Sequence, residues 1–273
     1  MSITTPLVVT VAPTGAEVSR EENPAVPYSA AEVAAESIGA VRAGATVVHL
    51  HARTPDGSPT GDPGVFREIT DRIRAEVDCV VMFSTGGAAW MGDEERLACL
   101  EAGPDLASLT PGSVNFGTDL LLNPLPSVER YAERIYAAGA RPEIEIFDTG
   151  MIPTALRLLE RGVLLEPAAF NLVLGVPGGM PGTVEALVHA RSLLPPGSPI
   201  CVTGIGRAQP IVTMTAVAAG LGVRVGFEDN ILLRRGVPAP SNAALVERVV
   251  GWADSIGRPV ADVAQTRAVL GVG

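Results

Sequence analysis

Residues 47–53 read VVHLHAR. Two of the chain's three histidines, His49 and His51, stand here one residue apart. Their apolar neighbours predict a buried strand. In a strand, positions i and i+2 share a face, so both imidazoles project together while Val48 and Leu50 project the other way. Two imidazoles in a dry place repel each other if protonated, and each needs a hydrogen-bond partner if neutral. A divalent metal answers both needs, because each neutral ring offers it a lone pair. The plainer alternative is two core histidines satisfied by neighbouring carbonyls. A pair in a strand that ends in Arg53 and the turn TPDGSPTGDPG favours the metal. Its other ligands must come from elsewhere in the chain.

Apolar runs of the same kind recur. Strands are expected at 7–13, 45–52, 79–85, 105–110, 142–148, 168–175, 199–205 and 223–229. Helical patterns lie between them. Ser29 with Glu32 has the capping-box spacing, and the helix it opens should run to Gly44. Asp62-Pro63 has the chemistry of a helix start before FREITDRIRAEV. SVERYAERIYAAGA, ALRLLERG and TVEALVHARSLL space their apolar residues at i, i+3 and i+4. SNAALVERVVGWADSIG and DVAQTRAVLG close the chain. Eight strands alternating with eight or more helices predict an α/β fold, a (β/α)8 TIM barrel. An open doubly wound sheet is the alternative, but no strand leads into a nucleotide-binding glycine motif. With no linker, repeat or low-complexity tract, residues 1–273 are expected to form a single (β/α)8 barrel domain with C-terminal helices.

Composition narrows the function. The chain has 273 residues, 47% of them hydrophobic, which is ample for a large core. Its net charge is −10 and it has no basic run, so a nucleic-acid or membrane surface is not expected. Cys79, Cys99 and Cys201 have no paired spacing and read as free, buried thiols in a reducing compartment. The start, MSITTPLVVTVAPTG, lacks the pattern of a signal peptide, and no apolar run reaches membrane-spanning length. A soluble, cytoplasmic protein is expected.

In such barrels active sites lie at the C-terminal strand ends. Polar residues gather there: Thr14 and Glu17, His49 and His51, Ser84 and Thr85, Ser108 and Thr110, Glu143 and Glu145, Asn171, then Arg224, Glu228 and Asp229. Glu228 is the best third metal ligand, since His-His-Glu is a common catalytic zinc set. An ion pair with Arg224 is its alternative role, and Glu145 is a competing ligand. Arg224 can anchor a substrate carboxylate, with Asp229 orienting it or taking a proton. In STGG (84–87), Gly86 and Gly87 let backbone N–H groups approach an anion. GVPGGMPG (175–182) and GIGR (204–207) are glycine-rich exits suited to a phosphate or pantetheine chain, or plain turns. The loop 14–28 could cover the barrel mouth and carry Glu17 into the site. Phe147 and Met82 could shape an apolar tail pocket. His189 lies in a helical pattern and reads as structural. Amidohydrolase barrels also carry H-x-H, but on their first strand and with further strand histidines that are absent here.

The stretches VTVAPTGAE, NPAVPYSAAEVAAESIGAVRAGATVVHLHAR, FSTGG, GSVNFG, PEIEIFDTGM, LVLGVPGGMPG, GIGR, VRVGFEDNI, GVPAPSNAALVERVV and IGRPVA run in order over nearly the whole chain. Taken together they identify a sequence that resembles the β-keto acid cleavage enzymes. The resemblance implies a zinc-dependent barrel forming homotetramers, with zinc or another divalent ion as cofactor. Such enzymes convert a β-keto acid and acetyl-CoA to acetoacetate and a new acyl-CoA, through a metal-stabilised enolate and retro-Claisen cleavage. It implies His49, His51 and Glu228 as metal ligands and Arg224 with Asp229 as the acid–base pair. Ser84 would contact the keto acid or the developing oxyanion, and Glu17 and Glu145 would line the pocket. Ser108 and Thr110 stand where the family pattern has threonine and asparagine, and Phe147 where tyrosine is expected. The reaction type carries over; the particular keto acid does not. Arg207 with Arg234 or Arg235 could meet the CoA phosphates. The other readings are a metal-dependent hydrolase or lyase acting without CoA, and a metal-stabilised barrel with no enzymatic role.

Overall fold

The computed structural model describes residues 4–273. Eight parallel strands close into a barrel in chain order. They are β1 Val9–Val11, β2 Val47–Leu50, β3 Val80–Phe83, β4 Leu106–Leu109, β5 Arg141–Ile146, β6 Ala169–Leu174, β7 Ile200–Gly204 and β8 Gly222–Val225. The seam closes where Val9 pairs with Val223 and Val11 with Val225. The fold is therefore the (β/α)8 barrel, and closure rules out the open sheet. Every expected strand is present; most are trimmed at their ends, and β5 and β8 begin one residue earlier than expected.

The helices are α1 Ala30–Arg42, α2 Pro63–Arg74, α3 Asp93–Ala98, α4 Leu125–Ala137, α5 Met151–Glu160, α6 Val184–Ser192, α7 Gln209–Ala218, α8 Asn242–Ser255 and α9 Val263–Leu270. The Ser29–Glu32 capping box forms as expected, and Asp62 accepts from the Gly64 N–H ahead of α2. Two helices were not marked by any sequence period. The short α3 spans little more than one turn. The sequence of α7, QPIVTMTAVA, leaves Ile211 and Met214 exposed, so no apolar stripe separates its two faces.

The main core lies between the outer face of the barrel and the helices. A smaller one fills the lower barrel interior: Val47, Val80, Met82, Leu106 and Ala169, plugged by Leu270 of α9. Met82 thus belongs to the barrel floor and not to a substrate pocket. All three cysteines are free. Cys79 and Cys99 are buried, whereas Cys201 is only half-buried beside a cavity at the lower end of the barrel. Among the described residues no helix is long and apolar enough to cross a membrane.

Candidate active site

Alternation within β2 sets the site. His49 stands two residues above Val47 on the inner face, and His51 follows where the strand ends. The rings lie 5.5 Å apart. Glu228 reaches them from the loop after β8, with Oε2 at 3.6 Å from His49 Nε2 and Oε1 at 3.5 Å from His51 Nε2. Donor atoms of the three residues all fall within 4.8 Å of one another. His49 Nδ1 and Glu228 Oε2 are buried without a hydrogen-bond partner. Burial, together with the Arg224 charge, pushes His49 well below the usual imidazole range. Burial works against the Glu228 charge, yet Arg224 and the two imidazoles hold it below the usual carboxylate range. Two imidazoles and an ionised carboxylate, with a buried nitrogen and oxygen left unpartnered, fit a divalent cation.

The approach of Glu228 depends on Gly15. A Cβ on Gly15 would sit 2.5 Å from Glu228 Cγ, so no other residue fits there. Arg53 fixes that loop. It is buried at 4% exposure and donates to Gly15 O at 2.6 Å, Val18 O at 2.8 Å and Gly57 O at 2.9 Å. Its guanidinium also lies 5.0 Å from the Tyr28 ring centroid. In the sequence Arg53 marks only the end of the strand. The signal was there: an arginine two residues beyond a buried histidine needs acceptors, and a long loop offers carbonyls.

Arg224, 4% exposed, sits at the centre of three acids. Its Nε and Nη2 donate to Asp229 at 3.0 and 2.7 Å. Nη2 also meets Glu228 at 2.5 Å, and Nη1 meets Glu145 at 3.2 Å. Four of its five N–H donors are used. It is not the free carboxylate anchor that the sequence suggested. Glu145 is drawn to Arg224 and lies outside the His49–His51–Glu228 group. Burial pushes Glu145 up against the pull of Arg224, and pushes Asp229 up to about 6.

These groups face a pocket of about 180 Å³. Glu17, His51, Ser84, Gly86, Gly87, Glu145, Arg224, Glu228 and Asp229 line it. Glu17 is exposed at the rim. The Gly86 N–H donates to Ser84 Oγ at 3.2 Å, which leaves the Ser84 hydroxyl hydrogen free to serve a ligand. Ser108 and Thr110 do not line the pocket. Ser108 Oγ accepts from the Thr85 N–H, and the Thr110 carbonyl accepts from Asn123. Both are buried behind the wall. His189 faces solvent on α6. In the glycine-rich exit 175–182, Gly178 packs against Asn115 and Gly179 against Phe147, and Val176 lines the pocket with Phe116, Leu121, Phe147 and Ile205.

The beta-keto acid cleavage enzyme family pattern matches residues 6–272. The 3-keto-5-aminohexanoate cleavage enzyme of Acetoanaerobium sticklandii is 42% identical over 268 residues, covering 97% of this chain and 98% of that protein. The 3-oxoadipate:acetyl-CoA acetyltransferase of Cupriavidus necator is 38% identical over 274 residues, covering 99% of this chain and 96% of that one. Among solved structures, apo ObcA superposes with a TM-score of 0.74 at 22% identity, over 92% of this chain and 66% of that one. At that identity the likeness is one of fold.

Proposed function

Because the chain belongs to the β-keto acid cleavage enzyme family, we propose that it converts a β-keto acid and acetyl-CoA into acetoacetate and a new acyl-CoA. One observation carries the reading: the buried donors His49, His51 and Glu228 stand against the Arg224–Asp229 pair in a single pocket. Zinc or another divalent ion held by those three donors would supply Lewis-acid polarisation of the keto acid's oxygens.

The chain's own groups do the rest. Asp229, raised by burial, is suited to take the proton from C2 of the keto acid near neutral pH. Arg224 holds Asp229 by two N–H donors and balances the charge that moves. The Ser84 hydroxyl donates to the oxygen that gains charge. Atom balance sets the order of bonds. The C2 carbanion attacks the acetyl carbonyl, and CoA thiolate leaves. The thiolate then attacks the original C3 carbonyl, and the C2–C3 bond breaks. The acyl group departs on CoA, and C2 of acetoacetate takes back the proton.

Arg207 follows β7, and Arg234 and Arg235 sit in the hairpin after β8; all three are exposed and are assigned to the CoA phosphates. Residues 1–273 are read as one domain. We also propose a cytoplasmic homotetramer. Exposed Val184 and Val188 on α6 and Ile211 and Met214 on α7 offer apolar surface for a subunit contact, and the free cysteines suit a reducing compartment.

Incubation of the purified protein with acetyl-CoA and a panel of β-keto acids tests the reaction. Acetoacetate and the matching acyl-CoA should appear in equal amounts. Cleavage that proceeds equally well without acetyl-CoA overturns it.

A further inference from the structure

We propose that the substrate carries an uncharged, apolar acyl tail, a straight-chain 3-oxoalkanoate; this rests on the reading that the pocket takes a β-keto acid. The pocket has two unlike halves. The strand ends and loops of β1, β2, β3 and β8 contribute most of the polar half, joined by Glu145 of β5. The ends and loops of β4 to β7 contribute Phe116, Leu121, Phe147, Val173, Val176 and Ile205.

That apolar wall is locked together by backbone contacts. Phe116 meets Phe147 edge-on with ring centroids 6.0 Å apart. The hairpin bearing Phe116 and Leu121 joins the loop after β6 where the Gly117 N–H donates to Pro177 O at 3.0 Å. The Met180 N–H donates to Phe147 O at 2.7 Å. Gly178, at φ +105°, lies so close to the hairpin that a Cβ there would meet Asn115 O at 2.2 Å. Three loops therefore hold one preformed surface, which a flexible alkyl chain can cover at little ordering cost.

Charge excludes the other tails. The chain has no lysine, because all 20 of its basic residues are arginine. Arg224 is the only basic residue in the pocket lining apart from the imidazole of His51, and it is already bound to Glu145, Glu228 and Asp229. A second substrate carboxylate would find no free cation, only the exposed Glu17 and the three acids that already occupy Arg224. An ammonium tail fares no better. Glu145 is already held by Arg224, and Glu17 is exposed, where an ion pair gains little. The remaining wall would strip the ammonium of water without replacing it. By their names, the relatives from Acetoanaerobium sticklandii and Cupriavidus necator act on an amino keto acid and a dicarboxylic one. This chain is assigned a third tail chemistry.

The test uses zinc-loaded enzyme with 3-oxohexanoate, 3-oxoadipate and 5-amino-3-oxohexanoate. Dissociation constants are read by calorimetry and acetoacetate formation is read separately. 3-Oxohexanoate should bind about ten-fold or more tightly than either charged acid. Leu121→Arg, or Phe116→Arg if the first variant does not fold, should raise the binding of 3-oxoadipate relative to 3-oxohexanoate by a similar factor. Equal or tighter binding of a charged acid, or an unchanged ratio in the variant, overturns the tail assignment. If acetoacetate forms from none of the three, the proposed reaction fails, while the order of binding still decides the tail.

Discussion

Along the inner face of the barrel, two residues of chain separate two environments. Val47 becomes His49, Met82 becomes Ser84, Leu106 becomes Ser108 and Ala169 becomes Asn171. The lower members pack together under Leu270. Of the upper members, His49 and Ser84 belong to the site with Glu145, Arg224 and Asp229, whereas Ser108 and Asn171 are buried and accept from Thr85 and Thr203. A fully buried apolar side chain contributes about 1.5–3 kcal/mol. A buried ion carries a desolvation cost of several kcal/mol that its partner must offset. The lower layer therefore stabilises the fold, and the polar upper layer carries the desolvation cost. The same strands serve both ends because the pleat repeats every two residues and nothing in the backbone distinguishes one layer from the next.

The largest separation should come from Met82. It is fully buried, and Met82→Ala should cost about 2–5 kcal/mol of stability. Acetoacetate formation per folded molecule should barely change. Urea unfolding beside steady-state assays reads both, and a large loss of activity at full stability would move Met82 into the site.

Glu143 sits between the layers and sharpens the boundary. It is buried, its Oε2 has no partner, and burial with the Glu145 charge beside it pushes it up to about 7 from an ordinary 4.5. The folded protein therefore keeps this proton between pH 4.5 and 7, where the unfolded chain releases it. Its contribution to stability is present below about pH 4.5 and is lost as pH rises through 7. The loss amounts to about 3 kcal/mol above pH 7. Glu143→Gln should match the wild type at pH 5 and exceed it in urea midpoint at pH 8. Midpoints that run parallel across that range would contradict this placement.

The smallest effect tests the loop beside the metal donors. Arg53→Lys keeps the charge but cannot reach three carbonyls from one planar fork. Zinc affinity should weaken by about ten-fold, as for outer-shell partners elsewhere, with the fold intact. Unchanged affinity would leave Arg53 a purely structural clamp.

The barrel was legible because each strand is an apolar run ending in polar residues, and closure needs only that count. The grouping of His49 and His51 followed from alternation, and Glu228 from the adjacency of β8 to β1. What the sequence hid were contacts set by tertiary geometry. Glu145 and Arg224 are 79 residues apart and meet across the barrel. Ser108 and Thr110 look like Ser84 in a strand-end pattern, yet both are buried outside the pocket lining, with Ser108 Oγ accepting from the Thr85 N–H. Phe116 and Leu121 belong to a hairpin that has no period to announce it, and the close contacts of Gly178 and Gly179 with other loops are invisible in the glycine pattern of 175–182. Helix α7 was passed over because its apolar residues point both ways.

The account turns on whether His49, His51 and Glu228 act together as a cation site. Chelator-treated wild type, His51→Ala, Glu228→Gln and Glu145→Gln should be titrated with zinc by calorimetry, with elemental analysis of the loaded proteins. The account predicts about one zinc ion per chain in the wild type and in Glu145→Gln, and loss of that binding in His51→Ala and Glu228→Gln with their far-UV spectra unchanged. Retention of zinc by His51→Ala and Glu228→Gln, or its loss in Glu145→Gln alone, would contradict it.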